Sequence, residues 1–174
     1  MKGYHKNKGK ARFAIKVDLK KAYDSVEWNF ILMCLLAVGC PARFVNWVRE
    51  CITTPRFSIA LNGSLVGYFK GGKGLKQGDP LSPYLFVLAM EVFTKLMSAK
   101  VRESQLFQFH PHCGRQQITH LSFADDLLIF VAADIQSIQV IKDALDEFKG
   151  LSGLLVNQSK SEVFCAAVLA GLQA

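Results

Sequence analysis

With 174 residues, 51% of them hydrophobic, the chain carries one domain's worth of residues and ample core. Its net charge of +7 favours polyanionic partners, and its five cysteines, odd in number and without a Cys-x-x-Cys pair, argue for a reducing compartment. No apolar run is long enough to span a bilayer and the N-terminus lacks a signal peptide's apolar segment, so the expected location is nucleus or cytoplasm, with no membrane partner.

Charge is unevenly placed. Lys2, Lys6, Lys8, Lys10, Arg12 and Lys16 precede any acid, and residues 1–12 read as a basic tail. Residues 13–18 follow as a short apolar strand ending on Asp18. Aspartate often caps the next helix, but Ser25 is placed to cap an apolar-periodic helix over residues 26–38, ended by Gly39. Pro41 suits the first turn of a second helix that runs to Ile52. Residues 56–61 and 65–69 flank Asn62-Gly63, the strongest hairpin signal in the chain. Arg56, Lys70, Lys73 and Lys76 form a second acid-free stretch, and such basic surfaces attract phosphate backbones.

A glycine-rich loop closed by Pro80 leads to a long helix over residues 81–101. His110, His112 and Cys113 lie in the loop beyond it, with no second cluster to complete a metal site. Apolar runs at 121–124 and 127–131 read as strands, which puts Asp125 and Asp126 at a hairpin tip. An amphipathic helix over 135–149, glycines at 150 and 153, and short strands at 154–156 and 163–165 complete the pattern. Residues 166–174 read as a C-terminal tail. Strands and helices interleave without strict βαβ alternation, so the expected class is α+β, a small antiparallel sheet with helices on one face.

Two adjacent carboxylates at a turn that would prefer glycine are costly unless a cation sits between them. If the strand ending in Asp18 lies beside that hairpin, three carboxylates converge on an all-oxygen site suited to Mg²⁺ or Mn²⁺ and not to zinc. A pair of carboxylate-held Mg²⁺ ions is a recurring device for in-line phosphoryl transfer.

Asp18-Leu19-Lys20-Lys21-Ala22-Tyr23-Asp24, Gln77-Gly78-Asp79-Pro80-Leu81-Ser82-Pro83 and Phe123-Ala124-Asp125-Asp126 occur in that order. Together they resemble the successive palm motifs of reverse transcriptases, particularly those of LINE-type (non-LTR) retrotransposons of plants. The likeness runs from about residue 13 to residue 162. It implies a polymerase-type palm over residues 13–165 with partial fingers and no thumb. It implies RNA-directed DNA polymerisation: dNTPs added to a DNA primer's 3′-hydroxyl on an RNA template, with two Mg²⁺ ions, or Mn²⁺ in their place.

By the same resemblance, Asp18 and Asp125 hold the metals, Asp126 assists, and the Leu19 carbonyl faces one ion. Tyr23 stands beneath the incoming sugar and excludes ribonucleotides. Gln77 and Gly78 meet nucleotide and template, while Asp79 caps the long helix. Lys160 protonates the departing pyrophosphate. Apart from the resemblance, the basic stretch itself makes Arg56, Lys73 and Lys76 the candidates to meet phosphates. A retroelement remnant that at most binds nucleic acid shares every motif and is the alternative. Another palm-type nucleotidyl transferase or cyclase shares the aspartates but leaves residues 77–83 unexplained.

Overall fold

The computed structural model describes residues 9–167. Lys2, Lys6 and Lys8 of the basic tail and residues 168–174 lie outside them. β1 (Arg12–Lys20) is the middle of the sheet because both of its edges are paired. Against one edge lies β5 (Asp126–Ala132), antiparallel, with β4 (His120–Phe123) beyond it. The other edge takes two separate strands, β6 (Leu155–Val156) and β7 (Glu162–Ala166). The α+β class with an antiparallel sheet is as expected.

Alternation along β1 decides the layers. Val17 and Leu19 are buried, as are their neighbours Leu127, Ile129 and Val131 on β5, and together they form the face that meets the helices. Lys16 and Asp18 take the opposite face, which stays open at the Asp18 end. At the other end the ring of His110 covers that face, packed edge-on to Phe130. Arg12, expected in the basic tail, instead begins β1 and is buried.

The helices are α1 (Ala22–Ser25), α2 (Trp28–Ala37), α3 (Ala42–Thr53), α4 (Ser82–Glu103) and α5 (Ile135–Ser152). Phe86 and Phe93 of α4 and Phe148 of α5 are fully buried, with Phe93 and Phe148 meeting edge to face at 5.3 Å. Ser25 does not cap α2: its hydroxyl donates to the Lys20 carbonyl, and the helix starts later, after an extended Val26 and Glu27. The reason is tertiary. The Val26 carbonyl accepts from Gly74 N–H and Glu27 N–H donates to the Ser152 carbonyl, so this segment is used by a loop and by the end of α5. Gly150 lies inside α5, and the helix ends on Gly153 in the left-handed region (φ 75°), a conformation that costs glycine little.

β2 (Arg56–Leu61) and β3 (Ser64–Lys70) form a separate two-stranded sheet, turned by Asn62 (φ 48°) and Gly63 (φ 82°) as the Asn-Gly signal requires. Every residue of both strands is exposed. All five cysteines are free thiols. Among the described residues, no helix is long and apolar enough to cross a membrane.

His120, at the head of β4, lies edge-on to Phe93 with its ring nitrogens against the Thr94 and Thr119 hydroxyls. Burial pushes its pKa below the ordinary 6.5, with Glu91 pulling weakly the other way, and burial does the same to His110. The unfolded chain therefore takes these protons first as pH falls. Stability should be full above pH 6.5 and decline as pH drops toward the depressed folded values. Urea midpoints measured between about pH 8 and pH 5 check this; a profile flat through that window would contradict it.

Candidate active site

The antiparallel register sets Asp18 directly opposite Asp126. Since Val17 and Leu127 are also partners and take the core face, both carboxylates rise from the open face. Directly opposed residues have Cβ atoms about 4.5–5.5 Å apart, so one cation is within reach of both side chains. Opposed like charges repel, and Lys16, two residues back on the same face, partly offsets this with Nζ 3.7 Å from Asp126 Oδ1. Both of those side chains are well exposed, so that pair contributes little stability.

The turn is shifted by one residue from expectation. Phe123 and Asp126 are strand partners, so the two turn residues are Ala124 and Asp125, and Asp126 is already the first residue of β5. Ala124 has φ 52°, a left-handed conformation that costs an alanine about 1–2 kcal/mol. The strain falls on the residue that hands the chain to Asp125. Thus the structure brings Asp18 and Asp126 together and places Asp125 at the tip beside them. Among the described residues, no three acid, histidine or cysteine side chains are already gathered as a metal cluster. The donor set itself is all oxygen and open on one side, which fits a hard cation.

On the far edge of β1, Asn157 donates from Nδ2 to Asp18 Oδ2 at 3.0 Å, and Asp18 N–H donates to Ser161 Oγ at 3.1 Å. Sequence reasoning missed both residues. Their signal was the polar run Asn157-Gln158-Ser159-Lys160-Ser161, rich in side chains that bond their own backbone. Lys160 is exposed within this turn, its N–H donating to the Asn157 carbonyl. Asp18 directs its own N–H and C=O toward this turn; by strand alternation Leu19 directs its carbonyl the other way, past the last β1–β5 pair.

Tyr23 sits in α1, half-buried, with its ring stacked on Phe86 at 4.7 Å and 17°. The Gln77–Gly78 loop is held to the same region by three bonds. Gly74 N–H donates to Val26 at 2.8 Å, Leu75 N–H to Tyr23 at 2.6 Å, and Trp28 Nε1 to the Gly74 carbonyl at 2.6 Å. Gln77 is exposed and Gly78 takes φ 86°. Asp79 Oδ1 accepts from Leu81 N–H at 2.8 Å, an Asx turn just ahead of α4; no side chain caps that helix directly. A cleft of about 420 Å³ lies beside the loop, lined by Asp24, Trp28, Lys76, Gln77 and Asp79, and the three acids do not border it.

Of the basic residues, Lys73 and Lys76 are both exposed and both line that cleft. Lys73 is drawn back to Glu27 at 3.5 Å, and the Arg56 guanidinium lies 5.8 Å from the Tyr68 ring centre.

The family profile described as reverse transcriptase (RNA-dependent DNA polymerase) matches residues 2–170. The Retrovirus-related Pol polyprotein from type-1 retrotransposable element R2 of Popillia japonica is 30% identical over 165 residues, 94% of this chain and 26% of that protein. The corresponding polyprotein of type-2 element R2DM of Drosophila melanogaster is 30% identical over 148 residues, 85% of this chain and 13% of that protein. The chain therefore spans between 13% and 26% of these two relatives. In structure it is similar to apo telomerase from Candida tropicalis truncated from its C-terminal domain. That match has a TM-score of 0.70 at 14% identity, over 93% of this chain and 32% of that one, and it speaks for the fold: a polymerase palm. A profile match over nearly the whole length, on a sheet that sets Asp18 against the Asp125–Asp126 turn, makes this chain a member of the reverse transcriptase family.

Proposed function

We propose that the chain is the palm of an RNA-directed DNA polymerase, adding deoxynucleotides to a DNA primer's 3′-hydroxyl on an RNA template. Family membership implies a nucleic-acid template and nucleotide substrates; RNA, DNA primer and dNTP are the specific choices proposed. The observation that carries the reading is the cross-strand pairing of Asp18 with Asp126 at the open end of the sheet.

Asp18, Asp125 and Asp126 would hold two Mg²⁺ ions, or Mn²⁺, with the Leu19 carbonyl as a further oxygen. When bound, such ions acidify the attacking hydroxyl and neutralise charge on the triphosphate. The protein's own work is positioning. Gln77 and Gly78 offer hydrogen-bonding groups and close backbone approach to the nucleotide, Lys76 with Lys73 and Arg56 offers charge to phosphates, and Lys160 stands on the Asp18 side as a proton donor to pyrophosphate. A nuclear or cytoplasmic location belongs to the same reading, supported by the five free thiols.

RNA-templated primer extension with and without Mg²⁺ tests the activity directly. Mn²⁺ binding tests the site separately: equal affinity in the wild-type chain and Asp18→Asn would overturn the metal assignment.

Tyr23 as the sugar gate gives a third measurement. Its ring plane is fixed by stacking on Phe86, and that rigidity supports the gate reading. Tyr23→Ala should reduce discrimination against ribonucleotides about 10- to 100-fold, while Tyr23→Phe should retain it. An alanine variant that still rejects ribonucleotides removes the gate.

A further inference from the structure

Two strands share one edge of β1, and neither reaches Asp18. β7 pairs with Arg12 through Lys16 and β6 with Leu19 and Lys20, so Val17 and Asp18 fall in the gap between them. The chain crosses that gap as the turn of residues 157–161, and the turn replaces the missing ladder. Asn157 N–H donates to the Asp18 carbonyl at 2.8 Å, and Asp18 N–H donates to Ser161 Oγ. Ser161 closes the turn on itself, its hydroxyl and N–H donating to the Asn157 carbonyl at 2.8 and 3.0 Å.

A continuous strand would have satisfied the same two main-chain groups of Asp18. What the detour adds is a side-chain donor: Asn157 Nδ2 on Asp18 Oδ2 at 3.0 Å. An ionised carboxylate only accepts, so the amide must turn its NH₂ toward Asp18. Ser159 Oγ, donating to Asn157 Oδ1 at 2.8 Å, holds it that way round. The donor is also neutral. An ammonium or guanidinium in its place would fix the carboxylate equally well but repel a divalent cation.

We infer that Asn157 is a positioning residue for Asp18: its amide occupies Oδ2 and fixes the carboxylate rotamer, leaving Oδ1 for the cation, with Ser159 orienting the amide. The inference rests on the reading of Asp18 as a cation ligand. Partners of this kind, hydrogen-bonded to a ligating group, typically contribute 10- to 100-fold in metal affinity.

Mn²⁺ titration of the full chain, followed by the paramagnetic signal of the free ion, separates the possibilities when paired with thermal melts of each variant. Asn157→Ala should bind Mn²⁺ about 10- to 100-fold more weakly than wild type. Ser159→Ala, exposed and without contact to Asp18, should weaken binding in the same direction by less, with an unchanged melting temperature. Asp18→Asn should bind most weakly of all. If Asp18→Asn loses Mn²⁺ while Asn157→Ala binds as tightly as wild type, the positioning role is wrong and the metal site stands. Should Asn157→Ala fail to fold, Ser159→Ala decides, and wild-type affinity there overturns the inference. Asp18→Asn indistinguishable from wild type removes the metal reading itself.

Discussion

Asp18→Asn should abolish primer extension, by at least about a thousandfold, while leaving the chain folded and as stable as before or slightly more so. A thousandfold corresponds to about 4 kcal/mol of transition-state stabilisation, the scale of several kcal/mol expected from a metal-held charge. The fold survives because Asp18 is anchored by its main chain, through Asn157 N–H and Ser161 Oγ, and the substitution touches neither bond. Asparagine also keeps an oxygen for the Asn157 amide. Replacing the carboxylate removes the like-charge opposition to Asp126, a change of about 0.2–1 kcal/mol in favour of the folded state. Activity and stability therefore move in opposite directions, which separates a chemical defect from an unfolded one. Primer extension run beside a thermal melt reads both; activity within tenfold of wild type would count against the site.

Gly74→Ala should do the reverse, failing in stability before chemistry is reached. Gly74 takes φ 89°, and a Cβ there would stand 2.7–2.9 Å from the backbone of Asp24. The obstruction is main chain, so no side-chain rotamer relieves it. A left-handed alanine costs about 1–2 kcal/mol and a forced backbone shift about 1–3 more, so a loss of roughly 2–4 kcal/mol is expected. For a domain of ordinary stability that is a large fraction of the total. Shifting this backbone also strains the bonds from Gly74 to Val26 and from Trp28 to Gly74, through which the Gln77 loop is seated beside Tyr23. Denaturant unfolding of Gly74→Ala beside Gly72→Ala is the measurement, since a Cβ at Gly72 meets nothing within 4 Å. Equal stability of the two would refute the close-approach argument.

The contrast between these two positions shows what was readable in the sequence. Alternation at Val17-Asp18-Leu19 and at Asp126-Leu127 assigns one face to the core and the other to the acids, and two-residue periodicity is local information. The Asn62-Gly63 turn is likewise a local requirement on φ, and it appears where expected. The slip at the acidic turn has the opposite character. Ala124 adopts a conformation its own chemistry disfavours, because pairing Phe123 with Asp126 overrides propensity. The late start of α2 is similar, since Gly74 and Ser152 claim the backbone that a helix from residue 26 would have needed. Lys73, read as a phosphate contact from its basic surroundings, also lies beside Glu27, a partner remote in sequence and near only in space. The polar run of residues 157–161 announces a turn, but the hold of Asn157 on Asp18 joins two ends of the domain and is not written in that run.

β1 is made early and completed late. A ribosome delivers chains N-terminus first, so Asp18 emerges long before either strand that will flank it. Until β5 and then β6 and β7 arrive, β1 is a ribbon with one apolar face and two bare edges, the kind of surface that chaperones shield and that aggregates when they do not. Pairing across such sequence distances is slow, because the loop must close before any contact rewards it. A polypeptide released before residue 126 would carry Asp18 without its opposing acid, and one released before residue 157 would lack the amide that fixes it. Competence at Asp18 thus waits until residue 157 has been made.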